Sequence, residues 1–166
     1  MIIRRAEPSD RARVAALQAQ SWRDAYRGIL PADYLAHRLD ADIARHWRAV
    51  EIGDEDIVLV AEMDGELAGF ISVWVRPTPF VDNLHVRPGL RSKGTGRRLM
   101  AEAARRLLEA GHASVYLWVV AGNEGAIRFY ERLGGRRGEL VEKDAFGNTT
   151  SCYRIAWDDL ARLAGD

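Results

Sequence analysis

The chain has a single cysteine and no long hydrophobic run. Cys152 stands alone among 166 residues, so an intramolecular disulfide is excluded and we expect a buried structural thiol. No apolar stretch reaches the roughly 20 residues that a membrane-spanning helix needs. Residues 1–5, Met-Ile-Ile-Arg-Arg, do not have the pattern of a signal peptide. We therefore expect a cytoplasmic protein that does not associate with a membrane.

The sequence also has no excess of charge of either sign. It contains 24 basic and 24 acidic side chains, whereas proteins that bind nucleic acid or anionic membranes electrostatically carry a basic excess. We therefore expect no nucleic-acid partner. Hydrophobic residues make up 48% of the chain, enough for one substantial core, but the chain is too short for two ordinary domains. The sequence predicts one domain over residues 1–166, without repeats or linkers.

A glycine-rich loop joins a predicted strand to a predicted helix. The apolar strand at 84–86 leads to residues 91–96, Arg-Ser-Lys-Gly-Thr-Gly, and then to a helix with an apolar face. The two glycines let the backbone turn tightly, so that free N–H groups and the positive end of the helix dipole point at one anion. Arg91, Lys93 and Arg97 add positive charge. The loop predicts a phosphate-binding site.

Two nucleotide-binding motifs do not fit this loop. A dinucleotide fingerprint needs a third glycine at position 99, where the chain has Leu99. A nucleoside-triphosphate loop needs Lys and then Ser or Thr after its last glycine, but Gly96 is followed by Arg97 and Arg98. From the loop alone, a turn that only connects strand and helix remains the alternative.

A second motif follows another apolar strand. Residues 123–134 are Asn-Glu-Gly-Ala-Ile-Arg-Phe-Tyr-Glu-Arg-Leu-Gly. Asn123 suits a helix N-cap, and Gly134 suits the position just after a helix end. Ala126 and Tyr130 are one turn apart on the same helix face. The small side chain of Ala126 leaves room for a ligand beside the phenol.

The loop and the second motif together resemble the two signatures of the GCN5-related N-acetyltransferase (GNAT) family. Residues 91–96 are similar to the loop Arg/Gln-x-x-Gly-x-Gly/Ala, whose amides hold the pyrophosphate of acetyl-CoA in that family. Residues 123–134 are similar to Asn-x-x-Ala-x-x-Phe-Tyr-x-x-x-Gly, in the family's order and spacing. Gly135 departs from the pattern, because the family usually has an aromatic residue there. The resemblance implies an acyltransferase that uses acetyl-CoA as cosubstrate and no metal.

The predicted order of elements agrees with this family. We predict a strand at 2–5, followed by helices from Pro8 to Tyr26, from Pro31 and from a cap at Asp40. A hairpin of strands 57–62 and 67–75 around Asp64-Gly65 and a strand at 80–86 come next. The helix after the glycine-rich loop, a strand at 115–120, the helix of the second motif and a hairpin of strands 135–141 and 151–157 complete the order. The resemblance implies an α/β protein with a mixed α+β sheet, the GNAT acyl-CoA N-acyltransferase fold. In it, a mostly antiparallel seven-stranded sheet is flanked by helices, and its central fourth and fifth strands splay apart.

The resemblance also implies where acetyl-CoA binds. Splayed strands leave backbone groups without partners, and in this family the pantetheine arm pairs with the fourth strand. The implied cofactor-binding residues are Leu84, His85, Val86, Arg91, Ser92, Lys93, Gly94, Thr95, Gly96, Arg97, Asn123, Ala126, Phe129 and Tyr130.

Tyr130 and Asp82 are the candidate catalytic residues. The resemblance places the family's tyrosine at Tyr130, where its phenol hydrogen-bonds the sulfur of the departing thiolate as general acid. A phenol of pKa about 10 protonates a thiolate of pKa about 8.5 uphill by about 2 kcal/mol, so we expect Tyr130 mainly to stabilise the thiolate. Asp82 interrupts an apolar strand, and a buried carboxylate must be paired or face a cavity. Asp82 is therefore the first candidate for the base or for binding the substrate cation.

Two other bases stay open at this stage. His85 titrates in the useful pH range, but strand alternation places it on the face opposite Asp82, so that only one of the two can point into the gap. Glu62, at the end of the second strand, is the next alternative.

The acceptor substrate is the least determined part of the sequence. Trp22, Tyr26 and Tyr34, with Phe146, occupy regions that shape the acceptor pocket in this family, and aromatic rings can bind amines by cation–π contact. The predicted substrate-binding residues are Trp22, Tyr26, Tyr34 and Asp82, with core packing as the alternative for each aromatic. We predict a primary amine of a small molecule, attacking in a ternary complex. A protein N-terminal amine, or a non-catalytic acetyl-CoA sensor, is the alternative, and a homodimer is a further expectation.

Overall fold

The computed structural model describes residues 1–91 and 93–165, and the bounds below refer to these. The strands are β1 (Ile2–Arg5), β2 (Ile57–Met63), β3 (Glu66–Val75), β4 (Pro79–Val86), β5 (Val115–Val120), β6 (Arg136–Ala145) and β7 (Asn148–Trp157). The helices are α1 (Arg11–Ala25), preceded by a 3-10 turn at Pro8–Asp10, α2 (Ala32–His37), α3 (Leu39–Ala49), α4 (Thr95–Glu109), α5 (Glu124–Arg132) and α6 (Leu160–Ala164).

The strands form one seven-stranded sheet in the order β1-β2-β3-β4-β5-β7-β6. Every neighbouring pair is antiparallel except β4 and β5, which are parallel. These two strands pair only at Phe80 with Tyr116 and at Val81 with Leu117. Beyond that point they separate, so the predicted fold with a central gap is confirmed.

The sheet has a core layer on each face. Alternating strand residues face opposite sides, so Leu59 and Ile71 pack with α4 and α5, whereas Val60 and Phe70 pack with α1 and α3. Both predicted hairpins form, and the strands of the second extend further toward the turn than predicted. Asp64 and Phe146, each followed by glycine, adopt positive φ angles of 54° and 50° at the two turns.

Three local predictions differ from the structure. The helix predicted from Pro8 begins as a 3-10 turn before α1, and Asp40 lies in the first turn of α3 instead of capping it, since Arg38 holds the cap position. Helix α6 was not predicted. Its signals are local, because the Asp159 side chain accepts a hydrogen bond from the Arg162 amide and Gly165 ends the helix in a left-handed conformation.

Gly135 shows how this chain replaces the aromatic residue that the family usually carries. A Cβ at this position would lie 2.5 Å from Cγ2 of Ile155 and 2.8 Å from Cζ2 of Trp157. The Trp157 ring already fills the corner: its Nε1–H donates to the Leu133 carbonyl at 3.1 Å, and the ring meets Tyr130 edge-on with 5.9 Å between centroids. Trp157 of β7 therefore provides the packing that an aromatic residue at 135 would otherwise provide.

We expect Gly135→Ala to lower the free energy of unfolding by about 2 kcal/mol, the usual cost of overpacking. Chemical denaturation measures the change. Gly138→Ala is the matched control, because a Cβ there would meet its nearest atom, the Arg154 carbonyl oxygen, at an ordinary 3.6 Å. Equal stabilities of the two variants would contradict the packing argument.

Candidate active site

A cavity of about 580 Å³ occupies the gap between β4 and β5. Its walls come from α1, β4, β5, α5 and the loop before α4. The predicted cofactor-binding residues that line it are Leu84, His85, Val86, Arg91, Gly94, Gly96, Arg97, Asn123, Ala126, Phe129 and Tyr130. Lys93 and Thr95 are not among the lining residues, and Ser92 lies outside the described residues. The structure thus brings most of these residues around one space.

The loop into α4 ends in open hydrogen-bond donors. Gly94 is the N-cap with a φ of 82° and offers no side-chain cap, so the first-turn amides have no acceptor within the helix. Thr95 is buried, and its Oγ1 has no hydrogen-bond partner among the described residues. A Cβ at Gly96 would lie 3.2 Å from Cζ of Phe129, so glycine at this position leaves space for a ligand to reach the start of α4. This cradle fits a pyrophosphate group.

Helix α5 presents Tyr130 to the cavity. The Asn123 side chain caps the helix by accepting a hydrogen bond from the Ala126 amide at 3.3 Å, as the sequence predicts. Tyr130 is buried, and its ring packs edge-on against Phe129 with 5.2 Å between centroids. Burial, with a smaller contribution from Tyr26, raises the pKa of Tyr130 above its ordinary value. The phenol is therefore a proton-bearing donor at neutral pH.

Strand β4 contains a β-bulge at Asp82. Ser72 of β3 pairs with Asn83, but the next residue of β3 pairs with Val81, so Asp82 has no partner on β3. A bulge interrupts side-chain alternation and re-aims the strand. Asp82 is consequently exposed at the cavity, and His85 lines the same cavity. The expectations that Asp82 is buried and that only one of the two faces the gap are wrong.

His85 is held as a neutral imidazole. Its Nδ1 lies 2.9 Å from Ser21 Oγ, and its Nε2 lies 3.3 Å from Asn83 Oδ1. Burial and then the positive charge of Arg91 lower the pKa of His85 to about 3. Both ring nitrogens are already occupied by the contacts with Ser21 and Asn83, so the structure argues against His85 as the general base.

Glu62 lies away from the cavity. Its Oε1 accepts hydrogen bonds from Arg4 and Arg13, each at 2.9 Å, and these bonds lower the pKa of Glu62. The carboxylate belongs to an ion-pair cluster that joins β1, β2 and α1, and Glu62 is not among the cavity-lining residues. Of the predicted bases, Asp82 alone combines an exposed carboxylate with a place at the cavity.

The aromatic candidates divide between the cavity and the core. Trp22 and Tyr26 line the cavity, with 5.0 Å between their ring centroids, and Phe146 packs behind Trp22 at 5.7 Å. Tyr34 is 1% exposed within the core layer under α1 and α3 and does not line the cavity. The prediction of Tyr34 as a substrate-binding residue is therefore wrong, since α2 turns this side chain inward.

Four polar lining residues were not predicted from the sequence. They are Ser21, Asn83, Arg128 and Arg132. The two arginines are four residues apart on α5, a spacing that places them on one helix face and could have indicated them. Ser21 could not have been found locally, because helix α1 reaches the cavity only through tertiary packing, and Asn83 could not because the strand pattern does not show the bulge beside it.

Charged residues of both signs line the cavity. Apart from His85, the titratable charged residues that line it are Asp82 on β4 and four arginines, Arg91, Arg97, Arg128 and Arg132, on the loop, α4 and α5. The excess of positive charge can hold a strongly anionic ligand. The single carboxylate, in a lining that also contains aromatic rings, suits a cationic amine.

The structure adds two observations on ligands and membranes. Within residues 1–91 and 93–165, no cluster of three or more His, Cys, Asp or Glu side chains is arranged to hold a metal ion. None of the helices described in this range has both the length and the apolar composition to cross a membrane. Cys152 is a buried free thiol, as predicted.

Known proteins resemble this chain in sequence and fold. A family model described as the acetyltransferase (GNAT) family matches residues 19–135. An uncharacterized N-acetyltransferase of Archaeoglobus fulgidus is 33% identical over 147 residues, which are 84% of this chain and 95% of that protein. The streptothricin acetyltransferase of Streptomyces lavendulae is 36% identical over 88 residues, which are 51% of this chain and 46% of that protein.

A solved structure shares the fold. It is YncA, a putative acetyltransferase from Salmonella typhimurium with its cofactor acetyl-CoA, and it superposes with a TM-score of 0.66 at 20% identity over 95% of this chain and 93% of that one. The family match spans the strand gap, the glycine-rich loop and helix α5. With sequence, fold and cavity in agreement, the chain belongs to the acetyltransferase (GNAT) family, as an N-acetyltransferase whose acetyl donor is acetyl-CoA.

Proposed function

We propose that this enzyme acetylates a primary amine of a small molecule by direct attack within a ternary complex. The charged residues of the cavity carry the proposal. Arg91 lies in the loop before α4 and Arg97 in its first turn, where the helix N-terminus offers free amides, and the same cavity is lined by Asp82 and by aromatic side chains. One space thus offers groups for a polyanionic donor and for a cationic acceptor.

Different cavity residues would bind different parts of the acetyl donor. The amides at the start of α4 and the neighbouring Arg91 and Arg97 would hold the pyrophosphate. The β4 backbone at 84–86, which has no β5 partner, would pair with the pantetheine arm. Bound acetyl-CoA supplies the thioester carbonyl that the amine attacks.

Tyr130 would act on the leaving thiolate, and Asp82 would act on the proton of the attacking amine. The Tyr130 phenol donates a hydrogen bond toward the thioester sulfur and stabilises the thiolate that leaves, while its own proton stays in place because its pKa is raised. The Asp82 carboxylate accepts the proton from the attacking amine, directly or through a water molecule. Both side chains line the same cavity.

The acceptor end favours a small molecule. Trp22 and Tyr26 form an aromatic wall, and the Phe146 ring closes it from behind. Aromatic rings attract a cationic amine before it loses its proton. The name of the Streptomyces lavendulae relative gives streptothricin as its acceptor, which supports a small-molecule acceptor for this chain as well.

Acetyl-CoA-dependent release of free thiol tests the proposal, with polyamines, aminoglycosides, diamino acids and short peptides as acceptors. We expect turnover on one class of small amine and none on peptides. Asp82→Asn is expected to lower kcat/KM for that amine about a hundredfold, the lower end of what a positioned general base contributes. Asp158→Asn is the matched control, since Asp158 is exposed and pairs with Arg136 outside the cavity.

Three results would contradict parts of this proposal. Faster turnover on peptides would transfer the assignment to a protein N-terminal amine. Binding of acetyl-CoA without turnover on any acceptor would favour the sensor alternative. Equal kcat/KM values for the two Asp variants would remove Asp82 from the reaction.

A further inference from the structure

A chain of polar side chains crosses the cavity wall from helix α1 to the bulge of β4. It runs from Ser21 through His85 and Asn83 to Asp82, and the donor–acceptor distances are 2.9, 3.3 and 3.0 Å. Ser72 of β3 joins it, because the Asn83 amide also lies 3.0 Å from Ser72 Oγ. Ser21, Asn83 and Ser72 are buried, so each of these groups must be satisfied internally.

The orientation of the Asn83 side chain follows from its neighbours. An ionised carboxylate only accepts hydrogen bonds, so the group that faces Asp82 Oδ2 at 3.0 Å must be the Nδ2 amide of Asn83. The second hydrogen of Nδ2 is donated to Ser72 Oγ. Oδ1 of Asn83 is then left facing His85, where it can only accept.

The same logic fixes the tautomer of His85. Because Asn83 Oδ1 only accepts, His85 must carry its proton on Nε2. In the neutral ring Nδ1 is then the acceptor, and it receives the hydroxyl hydrogen of Ser21 at 2.9 Å. Every hydrogen bond in the chain therefore points from α1 toward Asp82.

Arg91 of the glycine-rich loop contacts the Ser21 end of this row of hydrogen-bonded side chains. Arg91 Nη2 lies 3.5 Å from Ser21 Oγ, at the outer limit for a hydrogen bond, and the same guanidinium pairs with Asp24 of α1. Arg91 of the loop is the charged group that acts on His85, Asp24 of α1 pairs with this arginine, and Asp82 of β4 is joined to the ring through Asn83. Burial, and then the positive charge of Arg91, disfavour a second proton on the ring.

We propose that His85 is a positioning residue: as a neutral Nε2–H imidazole it ties Asn83 to helix α1, and Asn83 in turn fixes the Asp82 carboxylate at the acceptor end of the cavity. Asn83 is the single side-chain hydrogen-bond partner of Asp82 among the described residues. Since the bulge leaves Asp82 without a partner on β3, its orientation depends on this link. The inference rests on the proposed function, in which Asp82 receives the amine.

Paired variants of His85 separate positioning from bulk packing. His85→Leu removes both hydrogen bonds, so we expect kcat/KM for the amine to fall about tenfold, the equivalent of one hydrogen bond of about 1.4 kcal/mol. His85→Gln keeps one donor and one acceptor at the end of the side chain, and we expect it to retain activity within about threefold. Because residue 85 would pair with the pantetheine arm through its backbone, which both substitutions keep, the dissociation constant for acetyl-CoA should change less than about threefold in both. His37→Gln, at an exposed position of α2, is the control.

Nitrogen-15 NMR of the histidine rings gives a readout that does not depend on turnover. We expect the His85 signals, assigned by their loss in His85→Gln, to show a neutral Nε2–H tautomer that does not titrate between pH 5 and 8. Ser21→Ala removes the donor to Nδ1 and should change these signals while the protein stays folded. This variant tests the same hydrogen-bonded side chains if His85→Leu does not fold.

The outcomes distinguish this inference from the proposed function. An Nδ1–H tautomer, a ring that titrates in this range, or equal losses in His85→Leu and His85→Gln would overturn the positioning role. A fall in acetyl-CoA affinity in His85→Leu would overturn it as well. Absence of turnover with every amine would contradict the proposed function alone, since the NMR result still reports the tautomer and the hydrogen bonds of His85.

Discussion

Replacement of Tyr130 by phenylalanine is expected to lower kcat by about a hundredfold, the usual cost of removing one donor aimed at developing negative charge. The phenol would face the sulfur and not the phosphates, so the dissociation constant for acetyl-CoA should change less than about threefold. The ring contacts with Phe129 and Trp157 survive the substitution, because both are edge-on contacts of the ring itself. Stopped-flow or steady-state thiol release, with calorimetry for binding, measures both quantities.

The pH dependence of the rate provides a second check on Tyr130. Because burial raises the pKa of this phenol, it stays protonated as pH rises from 7 to 10. The wild-type rate should therefore rise as the amine loses its proton and should show no fall from Tyr130 ionisation. Tyr153→Phe, on β7 outside the lining residues, is the matched control. An unchanged kcat in Tyr130→Phe would remove Tyr130 from the reaction.

Replacement of Gly96 by valine is expected to weaken acetyl-CoA binding by about a hundredfold, the equivalent of about two lost hydrogen bonds to an anion. A Cβ there would lie 3.2 Å from Phe129 Cζ and 3.6 Å from Val86 Cγ2. The added methyl groups would therefore crowd Phe129 and Val86, which line the cavity at the start of α4, and would narrow the space that the ligand needs there. Calorimetric titration with acetyl-CoA measures the effect.

Gly138→Val controls for the change of residue type, because Gly138 lies on β6 outside the lining residues. Circular dichroism should show that both variants keep the native fold. If Gly96→Val bound acetyl-CoA as tightly as Gly138→Val, the pyrophosphate would have to be held elsewhere than at the start of α4.

Local signals in the sequence were enough for most of the fold. The Asp64-Gly65 pair defines one hairpin, Asn123 caps α5, and the glycine at 94 starts α4, all as predicted. Each of these features depends on residues that are only a few positions apart in the sequence, where propensity and capping act directly. The missed helix α6 carries the same kind of signal, but it spans only Leu160–Ala164 and has too few periodic positions to stand out.

The candidate site was only partly predictable for a different reason. Strand periodicity assumes an uninterrupted ladder, and the bulge opposite Ser72 breaks it, so Asp82 is exposed where a buried carboxylate was expected. Tyr34 and Glu62 have residue types suited to a site, yet packing in one case and ion pairing with Arg4 in the other take them away from the cavity. Residue type alone does not separate these outcomes.

The sequence by itself determined the order of the strands and helices up to β7, the glycine-rich loop before α4 and the helix that carries Tyr130, because each is encoded by residues that are neighbours in the chain. Tertiary structure alone decided which side chains meet in the cavity. Ser21 and His85 are 64 residues apart, and Arg91 and Asp24 are 67 apart. Contacts over such separations depend on strand register and helix packing, which local propensity and spacing do not specify.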